Sequence, residues 1–260
     1  MAVSFFLDIC DILNIVVAFG IFVKGVCTME NITMQVIARM KSDFATKFGI
    51  PRQSGLVDSL RSTIVFEPAY RNADALRGID EFTHIWIIWQ FSEAVRQDWS
   101  PTVRPPRLGG NTRLGVFATR SPFRPNSIGL SSVRLLGVEQ TEEHGTVLHV
   151  AGADLMDGTP ILDIKPYIPY ADCHTDATGG FTDSAADFLL DVEFPAALLE
   201  LLPSDKRQSA IGVLSHDPRP SYQRSPERVY GLTFAGYDIR FTVTDRLLRV
   251  QEVVHQNRTK

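Results

Sequence analysis

The feature that most restricts the fold is a succession of short apolar runs, each cut off by Gly/Pro-rich turns, with no long helical period between most of them. Residues 34–40 (MQVIARM) alternate apolar and polar side chains, as a half-buried strand does. Similar runs recur at Ser62–Phe66, Thr83–Gln90, Leu114–Ala118, Ser131–Val138, Thr146–Ala151 and Ile161–Ile164. A parallel sheet needs a crossover of a dozen or more residues, usually a helix, between its strands. Turns such as Pro105-Pro106-Arg107-Leu108-Gly109-Gly110 favour a small β-barrel instead. Past Pro169 the pattern changes to a polar stretch at Asp172–Asp183, helix signals at Pro195–Leu202 and Asp205–Leu214, and a hairpin around Val229–Thr244. The expected organisation is therefore mainly β, with a barrel over residues 34–171 and a small α+β domain over 185–258.

Residues 1–33 form an apolar leader that fits neither pattern. Its longest unbroken apolar run, Ile15–Val23, is nine residues, whereas a spanning helix needs about 20. It opens without the basic region of a signal peptide. Two readings remain: translation from a start upstream of Met29 or Met34, or a weak membrane- or partner-binding helix. For the rest, 44% hydrophobic and 22% charged residues are ordinary globular composition. Cys10, Cys27 and Cys173 have no CxxC spacing, so neither a disulfide framework nor a thiolate metal site is expected, and a reducing cytoplasm fits. No metal ligand set is expected from His84, His144, His149, His174, His216 and His255, whose spacing matches no known site.

The net charge of −4 excludes a uniformly basic nucleic-acid binder but conceals a local asymmetry. Between Arg96 and Arg134 stand seven arginines, no lysine and the single acid Asp98, a net of six positive charges. Arginine's planar fork matches phosphate and carboxylate, so the segment reads either as anion recognition or as a solvated loop face. Within it, residues 120–130 (RSPFRPNSIGL) combine two prolines and an Asn/Gly-bearing turn with two guanidinium groups and a ring. That is a rigid display loop or a barrel corner. Residues 154–167 (DLMDGTPILDIKPY) bring Asp154, Asp157, Asp163 and Lys165 around one turn. The carboxylates suit binding of hydroxyl or amino groups or removal of a proton, and Asp157-Gly158 equally suits an Asx turn.

Five strings decide more than composition can. Phe48-Gly-Ile-Pro-Arg-Gln-Ser-Gly-Leu-Val, Arg77-Gly-Ile-Asp-Glu-Phe-Thr-His-Ile-Trp, Pro101-Thr-Val-Arg-Pro-Pro-Arg-Leu-Gly-Gly-Asn, Gly115-Val-Phe-Ala-Thr-Arg-Ser-Pro-Phe-Arg-Pro-Asn and Asp157-Gly-Thr-Pro-Ile-Leu-Asp-Ile-Lys-Pro-Tyr resemble the TsaA-like, or TrmO, family. The similarity runs from about Met34 to the end and includes Asp217-Pro-Arg-Pro-Ser-Tyr222. It implies a homodimeric β-barrel that uses S-adenosylmethionine, without a Rossmann domain, to methylate N6 of threonylcarbamoyladenosine in tRNA. No GxGxxG follows a strand in this chain. The family's cofactor positions fall on Pro51, Arg52 and Gln53, on Ser92 and Glu93, on Arg120 and Leu130, and on Asp154, Leu155, Met156, Asp157 and Gly158. Ser92-Glu93 departs from the His-Gln often found there.

A sulfonium methyl is already activated, so the protein's task under this reading is alignment and exclusion of water. The target nitrogen has a weakly available lone pair, so there are two readings: positioning alone suffices, or a carboxylate serves as base, with Asp157 or Asp154 the candidates and Asp163 a third choice. The substrate set is Arg104, Arg107, Arg124, Lys165, Asp217, Arg219 and Tyr222. Arg104 and Arg107 are assigned to tRNA phosphates, and Arg124, Arg120 or Arg219 to the threonyl carboxylate. The competing readings are a non-catalytic RNA- or nucleotide-binding barrel and a methyltransferase of the same fold with another substrate.

Overall fold

The computed structural model describes residues 31–256, apart from 97, 106–107, 109–110, 186–188, 220–224 and 226. The chain divides between Met34 and Gln35 into two units, and the architecture below is that of the second. All but the last three residues of the leader lie outside the described residues.

Period-two alternation builds the first sheet. In β2 (Arg61–Phe66) Ser62, Ile64 and Phe66 point inward, and in β3 (His84–Gln90) Ile85, Ile87 and Trp89 do. With β1 (Ala38–Lys41), β6 (Ile128–Thr141), β7 (Gly145–Ala151) and β8 (Pro160–Pro166) they form an antiparallel sheet in the order β1-β2-β7-β6-β3-β8. Ala38 and Arg39 of β1 pair back onto Ile161 and Pro160 of β8, which closes the sheet into a barrel. Closure leaves no unpaired edge for aggregation. Its core is Ala38, Met40, Ile64, Ile85, Ile87, Val133, Leu148, Val150, Leu155 and Ile161 with their neighbours. A bulge between Ile88 and Trp89 shifts the β3–β8 register and so re-aims the end of β3.

Leu114–Ala118 does not form the strand its composition predicts. Strand β5 is only Leu114–Gly115, paired with β4 (Thr102–Val103) in a two-stranded ribbon. Val116–Ala118 turns into a 3₁₀ helix instead. Arg124 Nη2 donates to the carbonyls of Val116 (3.3 Å) and Thr119 (3.2 Å), and the Thr119 hydroxyl donates to Val116 O (2.9 Å). These local bonds occupy carbonyls that a strand would have offered to a ladder.

The C-terminal elements are β9 (Asp191–Glu193), α2 (Ala196–Leu199), α3 (Ser204–Ser215), β10 (Tyr230–Phe234), β11 (Tyr237–Thr244) and β12 (Leu247–His255). A short α1 (Pro169–Asp172) precedes them. The strands form a four-stranded sheet in the order β10-β11-β12-β9, with β9 parallel to β12. The hairpin expected at 229–244 is therefore half of a larger sheet. Its core includes Phe44, Val57 and Leu60 from the segment between β1 and β2.

Candidate functional site

The site assembles where two loops and the ends of two strands converge on one carboxylate. Asp154 follows β7, and its carboxyl is largely buried. The Ser131 hydroxyl on β6 donates to Asp154 Oδ1 at 2.6 Å, and the Trp89 indole N–H at the end of β3 donates to Ser131 Oγ at 3.0 Å. Trp89 can lie there because Gly129 faces it across the ladder: a Cβ on Gly129 would sit 2.3 Å from the ring. The indole occupies one lone pair of Ser131, which leaves the hydroxyl proton for Asp154. Burial, the largest influence, raises the Asp154 pKa from its ordinary value, and the Ser131 bond, backbone amides at Asp154 and Ser54, and the charge of Arg120 oppose it.

Arg120 belongs to the display loop, and its Nη1 donates to Gln53 Oε1. Gln53 lies in the 48–57 segment, whose Gly55 N–H donates to Gly152 O at 2.9 Å. A Cβ on Gly152 would come within 3.2 Å of the Gly55 backbone, and Gly152 takes a φ of +75°, so glycine is required there on both counts. Above Gly55 and Gly158 the space within 4 Å of an added Cβ is open. The structure thus brings Gln53, Arg120 and Asp154 together, with Pro51 buried and Arg52 exposed in the same segment. Ser131, Trp89 and Ser54 complete the cluster and were not anticipated from the sequence. The available signal for Ser131 was its place on the inward parity of a strand.

Other anticipated residues fall elsewhere. Asp157 is exposed and ties its turn to the segment after β1: the Ser42 N–H donates to its Oδ1 (3.0 Å), and its N–H donates to Phe44 O (2.8 Å). Leu155 is buried in the barrel core, with Met156 partly buried and Gly158 exposed. Ser92 and Glu93 follow β3 in a 3₁₀ turn, where Glu93 lies 3.9 Å from Lys47. Leu130 is 57% exposed and projects from the face of β6 opposite Ser131. Asp163 and Lys165 pair with each other at 2.9 Å, opposite Ile88 and Trp86 of β3. Lys165 is thus displaced about 10 Å along β3 from Trp89. Arg219 is bound through Nε and Nη2 to both oxygens of Asp217 (2.7 and 2.9 Å), and that pair is largely buried. Arg124 braces the 3₁₀ turn, and Arg104 is exposed beyond β4. Arg107 and Tyr222 lie outside the described residues. Among the described residues no group of three or more His, Cys, Asp or Glu side chains is placed to hold a metal ion.

A buried carboxylate with a raised pKa, fed by hydroxyl and amide donors and flanked by an arginine, can bind an amine or hydroxyl and accept a proton. The chain as a whole is similar to known proteins. The tRNA-methyltransferase O N-terminal domain matches residues 39–173 and the TrmO C-terminal domain residues 188–256. A tRNA (adenine(37)-N6)-methyltransferase of Escherichia coli is 40% identical over 225 residues, 84% of this chain and 95% of that protein. A Pseudomonas aeruginosa protein described as a putative S-adenosylmethionine-dependent methyltransferase is 39% identical, over 79% of this chain and 90% of its own length. A crystal structure of TrmO from Pseudomonas aeruginosa superposes with a TM-score of 0.70 at 33% identity, covering 86% of this chain and all of that one. With both domain signatures of that family matched and the Escherichia coli relative aligned over 95% of its length, the chain belongs to the tRNA-methyltransferase O (TrmO) family.

Proposed function

We propose that this chain methylates N6 of the adenosine beside the tRNA anticodon, with threonylcarbamoyladenosine as the substrate base and S-adenosylmethionine as the methyl donor. The convergence of the Gln53 loop, Arg120 and Ser131 on Asp154 carries the reading. The residues present fit the cofactor. Open space lies above Gly55 and Gly158, a carboxylate is at hand for an amine or hydroxyl, and Gln53 and Arg120 supply amide and guanidinium donors. Pro51, Arg52, Ser92, Glu93, Leu155 and Met156 belong to the same proposed binding set. When bound, S-adenosylmethionine would supply a sulfonium methyl that is already activated, whereas the carbamoylated N6, with its delocalised lone pair, gains from losing its proton.

The protein's own part is alignment and proton handling. Asp154 takes the N6 proton on a carboxylate oxygen, and burial makes it a stronger base than a solvated aspartate. Trp89 and Ser131 hold that carboxylate in one orientation. Asp157 accepts from the Ser42 amide and joins its turn to the segment after β1, a structural role that leaves the base to Asp154 in this reading. Arg104, Arg107 and Arg113 contact phosphates, and Arg124 or Arg120 reads the threonyl carboxylate. Arg219, Asp217, Tyr222 and Lys165 complete the tRNA surface, the first two as a preformed pair.

Residues 34–171 form the non-Rossmann barrel domain of this reading and residues 185–258 its small α+β domain. The working unit is a homodimer in the cytoplasm. Ile128 and Leu130 are exposed on the outer face of β6 and Leu136 is exposed at its bulge, apolar groups suited to a second copy. Leu130, turned away from its own Asp154, would then serve the partner's cofactor. Mass spectrometry of tRNA nucleosides tests the function in a strain lacking its own enzyme. The methylated nucleoside should return with this gene and not with its Asp154→Asn variant. Absence of the methyl group with the intact gene overturns the assignment.

A further inference from the structure

Two aromatic rings stand exposed in the arginine-rich arm and have no part in the cluster around Asp154. Phe117 is 74% exposed and Trp99 51%, and their centroids lie 6.0 Å apart with planes inclined by 33°. Burial normally stabilises rings of this size, so two adjacent exposed ones point to a surface with an occupant. Their display is built rather than incidental. Val116, next to Phe117, is buried, and its N–H donates to Pro101 O at 2.9 Å. Arg124 and Thr119 lock the 3₁₀ turn that carries Phe117. The ribbon pair Thr102↔Gly115 sets Trp99 and Phe117 beside one another, three residues before and two after its ends. A third ring, Phe123, carries the Arg96 guanidinium 4.1 Å from its centroid.

We propose that Trp99 and Phe117 form a stacking platform for an unpaired base of the tRNA anticodon loop, next to the base being methylated. The proposal rests on the methyltransferase reading above. Charge selects RNA over another protein surface: the arm carries Arg96, Arg104, Arg113, Arg120 and Arg124, with Asp98 and Glu93 as its acids and Glu93 already facing Lys47. Position agrees. Phe117 is three residues from Arg120, about 10 Å of extended chain at most, and Arg120 reaches Gln53 and acts on Asp154. Drawing one adenine out of a loop toward Asp154 removes the stacking partner of its neighbour. Aromatic side chains replace such a partner irrespective of base identity.

The test uses the full chain and an anticodon stem-loop RNA with 2-aminopurine beside the target adenosine. Phe117→Ala and Trp99→Ala should each weaken binding about tenfold or more, abolish the change in 2-aminopurine fluorescence on binding, and leave the salt slope unaltered. Phe117→Tyr should restore binding and Phe117→Leu should not, because leucine is apolar but offers no ring face. Affinity for S-adenosylmethionine and the sedimentation mass should match those of the unaltered protein in every variant. Unchanged RNA affinity in Phe117→Ala overturns the platform. So does a lower sedimentation mass, which would make the rings an interface between copies, or equal rescue by leucine. Failure of the unaltered protein to bind the stem-loop at all overturns the methyltransferase reading along with it.

Discussion

The segment between β1 and β2 and the arm between β3 and β6 both reach Asp154, yet they are held in opposite ways. The first is enclosed by the C-terminal elements. Asp43 pairs with Lys206 at 2.7 Å, Ser209 on α3 donates to Ser59 O at 2.7 Å, and Ala235 donates to Asp43 O at 2.9 Å. Phe44 is buried 5.4 Å from Phe234, and Gly212 leaves room for Val57, which an added Cβ would meet at 2.6 Å. Gly49, at a φ of +85°, lies directly under Leu232. The arm rests instead on a two-residue ribbon, one buried valine and side-chain bonds to loop carbonyls, with its rings and most of its arginines outward. A site for a small cofactor gains from a loop fixed by packing, because ordering entropy is then met on folding and not on binding. A surface for a charged polymer gains from exposed groups whose contacts are replaceable.

The contrast can be broken most severely at Phe44. Phe44→Ala removes a fully buried ring shared with the C-terminal core and should cost about 3–5 kcal/mol in chemical denaturation, with weakened cofactor binding in calorimetry. If the variant loses stability but keeps cofactor affinity, the C-terminal elements do not position the Gln53 loop. Asp154→Asn, where the two regions meet, should lower the methyl-transfer rate about 10²-fold or more with little change in tRNA affinity. Asp157→Asn should leave the chemical step near its original rate. The reverse ranking of these two variants would return the base to Asp157.

A smaller effect separates the regions by charge. Arg120 lowers the pKa of Asp154 while burial raises it, so Arg120→Gln should push that pKa further up. Asp154 must be ionised to accept a proton, so activity rises with pH through its pKa, and this rising limb should move to higher pH in Arg120→Gln. Ser131→Ala removes a bond to the same carboxylate and should shift the limb in the same direction. A limb unmoved in both variants would mean that another group titrates. Smallest in stability terms are Arg104→Ala and Arg113→Ala, each expected within about 0.5 kcal/mol of the unaltered protein. Each should reduce the salt slope of tRNA binding by about one unit.

The sequence by itself determined the mainly β character, the change of pattern after Pro169, the arginine arm and the family strings, because alternation, turn chemistry and motif spacing are local properties of the chain. Through the family resemblance that those strings carry, it also named Gln53, Arg120 and Asp154 among the expected cofactor positions. Only the tertiary structure decided which of two nearby aspartates is buried with a raised pKa and which accepts from the Ser42 amide beyond β1, since the two stand three residues apart in one segment. Strand parity already put Ser131 with Val133 and Leu135, but only the tertiary structure brought its hydroxyl to Asp154 and the Trp89 indole. The tertiary structure also broke Leu114–Ala118 after two residues, because the Arg124 and Thr119 side chains claim carbonyls that a ladder would have used. Phe44, Val57 and Leu60 likewise precede the barrel's second strand in sequence but pack with elements beyond residue 190. Contacts of that separation depend on how whole sheets dock, which no local pattern encodes.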